Sequence, residues 1–368
     1  GANSYGQLGQ GHKDDKFLPT LLPTNECISS LSGGGGHTLA ITETGKLMSC
    51  GWNNKGQLGL GHTNNIFNLS HVDLPSKIIK AAGGWDFTLC LTEDNNLYTW
   101  GSNAFGQLGS AEVKGCALLP IQINGALKVK DISAGLRHAV IVTDKGDIFT
   151  WGFGKNGQLG HTHQQDISSK KSCHVYPNPE ALSLPESIGQ PIMVIAGSHH
   201  SAFLTNTGQV WIWGCNKYGQ CARDLDVSKV QSPCAVPQGF FNNEKIVLLK
   251  GGWTHMLAVT ESGAVYSWGR GDYGQLGRPC NAKCDPRPQK IVGLQNIVTL
   301  CCGSEHNMAI TEDGRLLCWG WNEHGMCGTG DEVNVDLPRP AQLDVIKTMH
   351  LTSVGCGSGH CFLLCQAT

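Results

Sequence analysis

Charge is sparse in this chain. Only 15% of its 368 residues are Asp, Glu, Lys or Arg, and the formal balance is 27 − 29 = −2. No run of Lys or Arg occurs anywhere. A protein that grips phosphate backbones needs a basic patch or arm, so nucleic acid is not an expected partner. No apolar stretch approaches the ~20 residues that cross a bilayer, and no membrane insertion is expected. The opening residues Gly1-Ala2-Asn3-Ser4-Tyr5 show neither a basic n-region nor an apolar h-region, so no signal peptide is legible.

Glycine and cysteine, by contrast, are plentiful. Forty-nine glycines exceed the average share of about 7%. Ten Trp and many short apolar runs argue that this glycine serves turns in a packed chain rather than disorder. Seventeen cysteines is an odd number, and Cys50, Cys90 and Cys318 sit inside apolar runs. A domain large enough to build its own core does not need a disulfide framework. Free Cys packs as a small hydrophobe, which points to a reducing compartment, cytoplasm or nucleus.

Two signatures alternate along the chain. The first is a loop: GANSYGQLG, GWNNKGQLG, GSNAFGQLG, GFGKNGQLG, GCNKYGQCA, GRGDYGQLG and GWNEHGMCG, starting near residues 1, 51, 101, 152, 214, 269 and 320. A period near 50 residues marks propeller blades or a solenoid. The second opens a strand, as in GGGGHTLAIT from Gly33, GGWDFTLCLT from Gly83 and AGLRHAVIVT from Ala134. Residue-Gly pairs follow most copies (Thr44-Gly45, Lys145-Gly146, Thr207-Gly208) and read as two-residue hairpin turns. The returning segment alternates, as in Leu97-Tyr98-Thr99-Trp100, with the period of two that a strand requires. Two earlier apolar segments per repeat complete a four-stranded blade. The expectation is an all-β, seven-bladed propeller forming one domain over residues 1–368. Seven opening strands but six returning strands are present. The closing blade is therefore expected to lack one strand, which would lie just before Gly1 and pair with Cys361–Cys365.

Several motifs invite a chemical reading. Gly152-x-Gly154-x-x-Gly157 and Gly269-x-Gly271-x-x-Gly274 match a dinucleotide-binding fingerprint, but a turn rather than a helix follows each. Asn3, Asn53, Asn103, Asn216 and Asn322 replace the middle Gly elsewhere. Gly and Asn share tolerance for positive φ, so the exchange predicts a backbone requirement there. His37, His138, His200, His255, His306 and His360 share one position, with Phe87 in the seventh copy, so this ring is expected to pack rather than ligate. The two residues before it do not repeat. Asp86, Arg137, His199 and Glu305, flanked by Trp85 and Trp253, are expected on one rim of a central channel as a protein-binding surface. His161, His163, Cys173 and His174, and the pair Cys280 and Cys284, could ligate zinc but match no familiar spacing. They read as loops. No cofactor, no metal and no covalent chemistry are expected.

The paired signature resembles the regulator of chromosome condensation family over essentially the whole chain. Gly83-Gly84-Trp85-Asp86-Phe87-Thr88, Cys302-Gly303-Ser304-Glu305-His306-Asn307 and Trp319-Gly320-Trp321-Asn322-Glu323-His324-Gly325 carry the likeness. The resemblance implies a guanine nucleotide exchange factor for a small GTPase, acting in regulated secretion and vesicle trafficking. It further implies a cytoplasmic and nuclear distribution, a monomer, and an exocyst subunit as a second partner. In the family's exchanger, acidic and His residues just before the repeated His promote nucleotide release. The matching positions here are Asp86, His199 and Glu305. The alternative is a non-catalytic propeller adaptor for a trafficking (exocyst) protein. A Trp-based ultraviolet photoreceptor also occurs on this fold, but only Trp85 and Trp253 take the position it needs.

Overall fold

The computed structural model describes every residue except 124, 126, 162–173, 281, 345–348 and 368. The repeat becomes an antiparallel sheet. In the first, strands Ile28–Gly33, His37–Thr42, Leu47–Gly51 and Ile66–Val72 pair in sequence order. The same order recurs over 78–122, 129–181, 191–235, 246–290 and 297–340. First strands of successive sheets lie side by side, including those of the last and first sheets. Second strands are buried along their whole length, because both faces of each are covered by neighbouring sheets. Fourth strands, rich in polar residues and Pro, form the outer wall, where an unpaired N–H faces water.

The fold is thus an all-β propeller of four-stranded blades, but it has six such blades rather than seven. The last sheet has two strands, Met349–Cys356 and Cys361–Ala367. Among the described residues it has neither a third strand, the one the strand count left out, nor a fourth. A fourth strand bonds only to a third, so it has no ladder to join. Residues 16–22 run past Gly325 and Gly330 without strand pairing, and Phe17 accepts the Gly330 N–H at 3.1 Å. The free edge of Cys361–Ala367 borders a groove of about 410 Å³ lined by Leu18, Leu22, Cys327, Ala341 and Leu364.

The hairpin between second and third strands also differs from expectation. Its loop has three residues, Glu43-Thr44-Gly45 in the first sheet, closed by Thr42 N–H to Lys46 O at 2.9 Å. Gly45 takes φ +82°, the left-handed position that a three-residue hairpin loop places last.

A belt of side chains joins the sheets. Each repeated His donates its Nε2–H to the residue after the equivalent position in the next sheet: His37 to Thr88 at 2.9 Å, His138 to Ser201 at 2.9 Å and His255 to Asn307 at 2.7 Å. His360 to Thr38, also 2.9 Å, joins the two-stranded sheet to the first. Thr38, Thr88, Ser201 and Asn307 each pass a hydrogen on to the carbonyl of a loop glutamine: Gln7, Gln57, Gln158 and Gln275. Because a hydroxyl has one hydrogen and gives it to that carbonyl, it can only accept from the imidazole. The rings therefore pack, as their replacement by Phe87 suggested, and they pack against a side chain of the next sheet. At the Phe87 seam the corresponding residue is Ala139, which offers no acceptor; both are fully buried in one apolar cluster. The glycine three residues before each ring is fixed by close approach: a Cβ on Gly197 would lie 2.0 Å from His200 Cε1.

Buried Trp100, Trp151, Trp213, Trp268 and Trp319 end the third strands and donate Nε1–H to Gln57, Gln107, Gln158, Gln220 and Gln275 carbonyls at 2.8–3.2 Å. The loop signature is therefore an inter-sheet bracket. Its Asn holds the loop by its side chain, not by an unusual backbone. Asn53 Oδ1 accepts the Leu58 N–H at 3.0 Å, and Asn53 Nδ2 donates to His62 and Asn64 carbonyls at 2.9 Å. None of these Asn, nor Gly154 or Gly271, has positive φ. The predicted backbone requirement is withdrawn; in the Gly copies, Leu159 and Leu276 lie against the space that the Asn side chain fills elsewhere.

Candidate functional site

The residues that fail to repeat gather at one end of the channel. Gly35, Trp85, Leu136, Trp253, Ser304 and Ser358 line a small axial cavity of about 100 Å³. The next residue outward in each sheet is Gly36, Asp86, Arg137, His199, Thr254, Glu305 or Gly359. Each carbonyl in this row accepts a bond from the second residue of the adjoining loop. Asp86 O accepts from Ser102, Arg137 O from Phe153, His199 O from Cys215 and Glu305 O from Trp321, all at 2.8–2.9 Å. This repeated bond locks a second row of variable residues beside the first.

The candidates divide by environment. Asp86, Arg137 and His199 stand on three successive sheets, Arg137 exposed and the other two half-buried. Burial raises the Asp86 carboxyl above its usual range, against hydrogen bonds from Gln107 and Ser102 and the charges of Arg137 and Lys55. Burial also lowers His199, and the Arg137 charge lowers it further, so its imidazole is neutral near pH 7. Arg137 is aimed by the Phe105 ring 4.1 Å beneath its guanidinium, and Phe105 rests on Phe153 at 5.1 Å. Arg over an aromatic face is the type of residue that anchors protein interfaces.

Glu305 is different, being only 5% exposed. Its Oε1 accepts from Thr254 Oγ1 at 2.6 Å and its Oε2 from Gln275 Nε2 at 2.7 Å. Arg270 Nη1 lies 3.8 Å away. Arg270 in turn is sandwiched by Tyr218 and Tyr273, at 4.9 and 4.6 Å, and bonds Asp272. Glu305 braces Arg270 from below; the group presented to a partner here is the guanidinium.

Trp85 and Trp253 touch, with ring centroids 5.7 Å apart. They belong to a longer aromatic ridge, since Trp52 meets Trp85 edge-on at 5.9 Å and stacks on Tyr5 at 5.2 Å. Trp52, Arg270, Tyr218, Tyr273 and Phe105 were not singled out from the sequence. Their signal was available, because the second and fifth loop residues vary as much as those before the His. Of the weaker candidates, His163 and Cys173 lie outside the described residues. His161 contacts Thr150 Oγ1 at 3.0 Å and stacks on Tyr176, and Cys280 Sγ donates to Ala282 O at 3.0 Å.

A chain whose loops bracket neighbouring four-stranded sheets at a period near 50 residues belongs to the class of repeat-built β-propellers. The RCC1-like domain family matches residues 1–363, and the chain belongs to that family. It is similar to the secretion-regulating guanine nucleotide exchange factor of Mus musculus, 41% identical over 399 residues, covering 100% of this chain and 82% of that protein. The Bos taurus protein of that name is 40% identical over the same shares. In structure it is similar to Prp20p of Saccharomyces cerevisiae, characterised for binding to Gsp1p and histones. The TM-score is 0.86 at 23% identity, over 99% of this chain and 89% of that one.

Proposed function

We propose that this protein is a guanine nucleotide exchange factor for a small GTPase, acting in the regulation of secretion. The observation that carries the reading is likeness to two exchange factors over the entire chain. No covalent step is needed. A factor that binds the nucleotide-free GTPase more tightly than the loaded form lowers the barrier to nucleotide release. Asp86, Arg137 and His199 form the contact arc, with Trp85, Trp253 and Glu305-braced Arg270 extending it. Asp86 is the carboxylate free to compete for a P-loop lysine or displace Mg²⁺, whereas Glu305 acts through Arg270.

The working form is proposed to be a ring of seven sheets, supported by the His360–Thr38 bond between the two-stranded sheet and the first. A cytoplasmic and nuclear distribution belongs to the same proposal, supported by sixteen described cysteines that are all free thiols. An exocyst subunit as second partner rests on the resemblance alone. Release of labelled GDP from a panel of small GTPases, followed by stopped flow, tests the central reading. Acceleration of at least one member, reduced by Asp86→Ala, is expected; no acceleration across the panel refutes it. A pull-down with exocyst subunits, blocked by charge reversal at Arg137, tests the second partner.

A further inference from the structure

The seam between the sixth sheet and the two-stranded sheet differs chemically from the others. At every seam but that of Phe87 the belt supplies one contact from His Nε2, and here it reaches Cys361 Sγ at 3.0 Å. That contact alone restates the belt. Two further thiols do not. Cys356 occupies the position held by Gly33, Gly83, Ala134, Ala196 and Gly251 in five sheets and by Cys302 in the sixth, where small residues let sheets approach. Its Sγ lies 4.0 Å from that of Cys361, its directly opposed partner across the hairpin. Cys301, on the first strand of the sixth sheet, brings its Sγ to 2.7 Å from Cys356. Ser32 and Ser133 hold the equivalent place in other sheets, where their hydroxyls bond backbone groups of the adjoining sheet at 2.9 Å. Among the described residues, this seam gathers three thiols beside one imidazole.

We propose that His306, Cys356 and Cys361, with Cys301 in reach of the fourth position, form a binding site for one borderline-soft divalent cation of the zinc class. The three ligand atoms all lie within 4.8 Å of one another. Zinc–sulfur bonds of ~2.3 Å and zinc–nitrogen bonds of ~2.0–2.1 Å give tetrahedral edges of roughly 3.8 Å between sulfurs and 3.6 Å between sulfur and nitrogen. The Cys356–Cys361 and His306–Cys361 spacings, 4.0 and 3.0 Å, bracket these edges. The Cys301–Cys356 spacing of 2.7 Å is shorter by about 1 Å. A change in the Cys301 side-chain torsion would bring its sulfur to the fourth corner. All four ligands sit on paired strands or at their ends, so the cage is held by the ladder.

Two thiols and one imidazole are the donor set that a borderline-soft cation takes, once the thiols are deprotonated and the imidazole is neutral. Metal entry completes the deprotonation, and each bound thiol releases its proton to solvent. The cation would tie the two-stranded sheet to the sixth at the place where outer strands are missing.

The test uses the whole chain, purified under a phosphine reductant without a metal-affinity step and stripped with chelator. Titration with Co²⁺ alone should show a thiolate-to-cobalt charge-transfer band saturating at one equivalent, displaced by Zn²⁺, with a raised melting temperature. Cys356→Ser and Cys361→Ser should each weaken binding at least tenfold, while Cys280→Ser leaves it unchanged. Absence of the band in the wild-type chain overturns the proposal without recourse to variants. So does a band that survives Cys356→Ser, or a Cys301–Cys356 disulfide found by mass spectrometry in the reduced protein.

Discussion

Phe87→His tests the belt where it is broken. Phe87 is fully buried, so the smaller, polar ring forfeits apolar packing, a fraction of the 3–5 kcal/mol that Phe→Ala costs in cores. The Nε2–H it introduces faces Ala139 and finds no acceptor, adding about 1–3 kcal/mol. The single variant should therefore lose about 3–5 kcal/mol. Ala139→Ser supplies what His138 finds in Ser201: an oxygen to accept from Nε2 and a hydrogen for the loop carbonyl, here that of Gln107. That carbonyl already accepts from Trp151 Nε1 at 2.9 Å and has a second lone pair. Alone, Ala139→Ser should cost under about 1 kcal/mol, because its hydroxyl can donate there. Together the two should recover about 1–2 kcal/mol relative to the sum of the singles. Urea unfolding followed by Trp fluorescence, with unchanged m-values across the four proteins, measures this coupling. A coupling within about 0.5 kcal/mol of zero would show that the His–hydroxyl contacts are incidental to the seams.

Trp151→Phe removes the Nε1 bond to Gln107 while keeping most of the ring, and should cost about 1–3 kcal/mol in the same assay. Glu305→Ala leaves Gln275 and Thr254 without an acceptor and frees Arg270. It should lower stability by about 2–4 kcal/mol and exchange activity with it, and Glu305→Gln should lower stability less. Arg137→Ala, at an exposed position, should cut GDP release at least fivefold with the melting temperature unchanged. Burial depresses His37 to about 4 and His138, His200 and His360 to about 3, so these rings are neutral in the folded state. The unfolded chain takes up their protons first, below about 6.5, so stability is complete above that pH and falls as acid is added. The loss is about 1.4 kcal/mol per ring per pH unit between the two values. Melting temperatures measured from pH 7 to 5.5 should fall steeply; a flat profile would mean that the rings are not buried as described.

Repetition made the architecture readable and at the same time hid part of the site. The period near 50, the Trp-Gly ends and the residue-Gly turns are local signals, each tied to one strand or hairpin; they place the hairpins correctly, though each loop has one residue more than the pair suggested. The belt was not readable, because His37 and Thr88 are 51 residues apart and meet only when two sheets pack. The Asn in the loop was read through backbone tolerance, whereas its amide makes the loop's hydrogen bonds. Residues 16–22 lie where a fourth strand of the last sheet would run, but a strand needs a partner as well as a sequence, and no third strand is there to pair with. Glu305 looked like its neighbours Asp86 and His199 in position; only packing shows it buried beneath Arg270. Cys301, Cys356 and Cys361 read singly as small apolar residues, and their convergence exists only in three dimensions.

The six-and-a-part repeats give the backbone near-rotational symmetry, yet the hoop is not equally stiff all the way round. Imidazole–hydroxyl and imidazole–amide links tie most seams. Phe87 against Ala139 has no polar tie, and His200 meets only the Met256 sulfur, at 3.2 Å. These two compliant joints lie directly below Asp86 and Arg137 on one side and His199 on the other. The arc offered to a partner therefore crosses one joint without a belt bond, between Asp86 and Arg137, and ends beside the sulfur joint next to His199. At both joints the loop brackets carry the connection instead, Trp151 to the Gln107 carbonyl and Trp268 to the Gln220 carbonyl, so a docking protein that spreads the arc loads those indole bonds first.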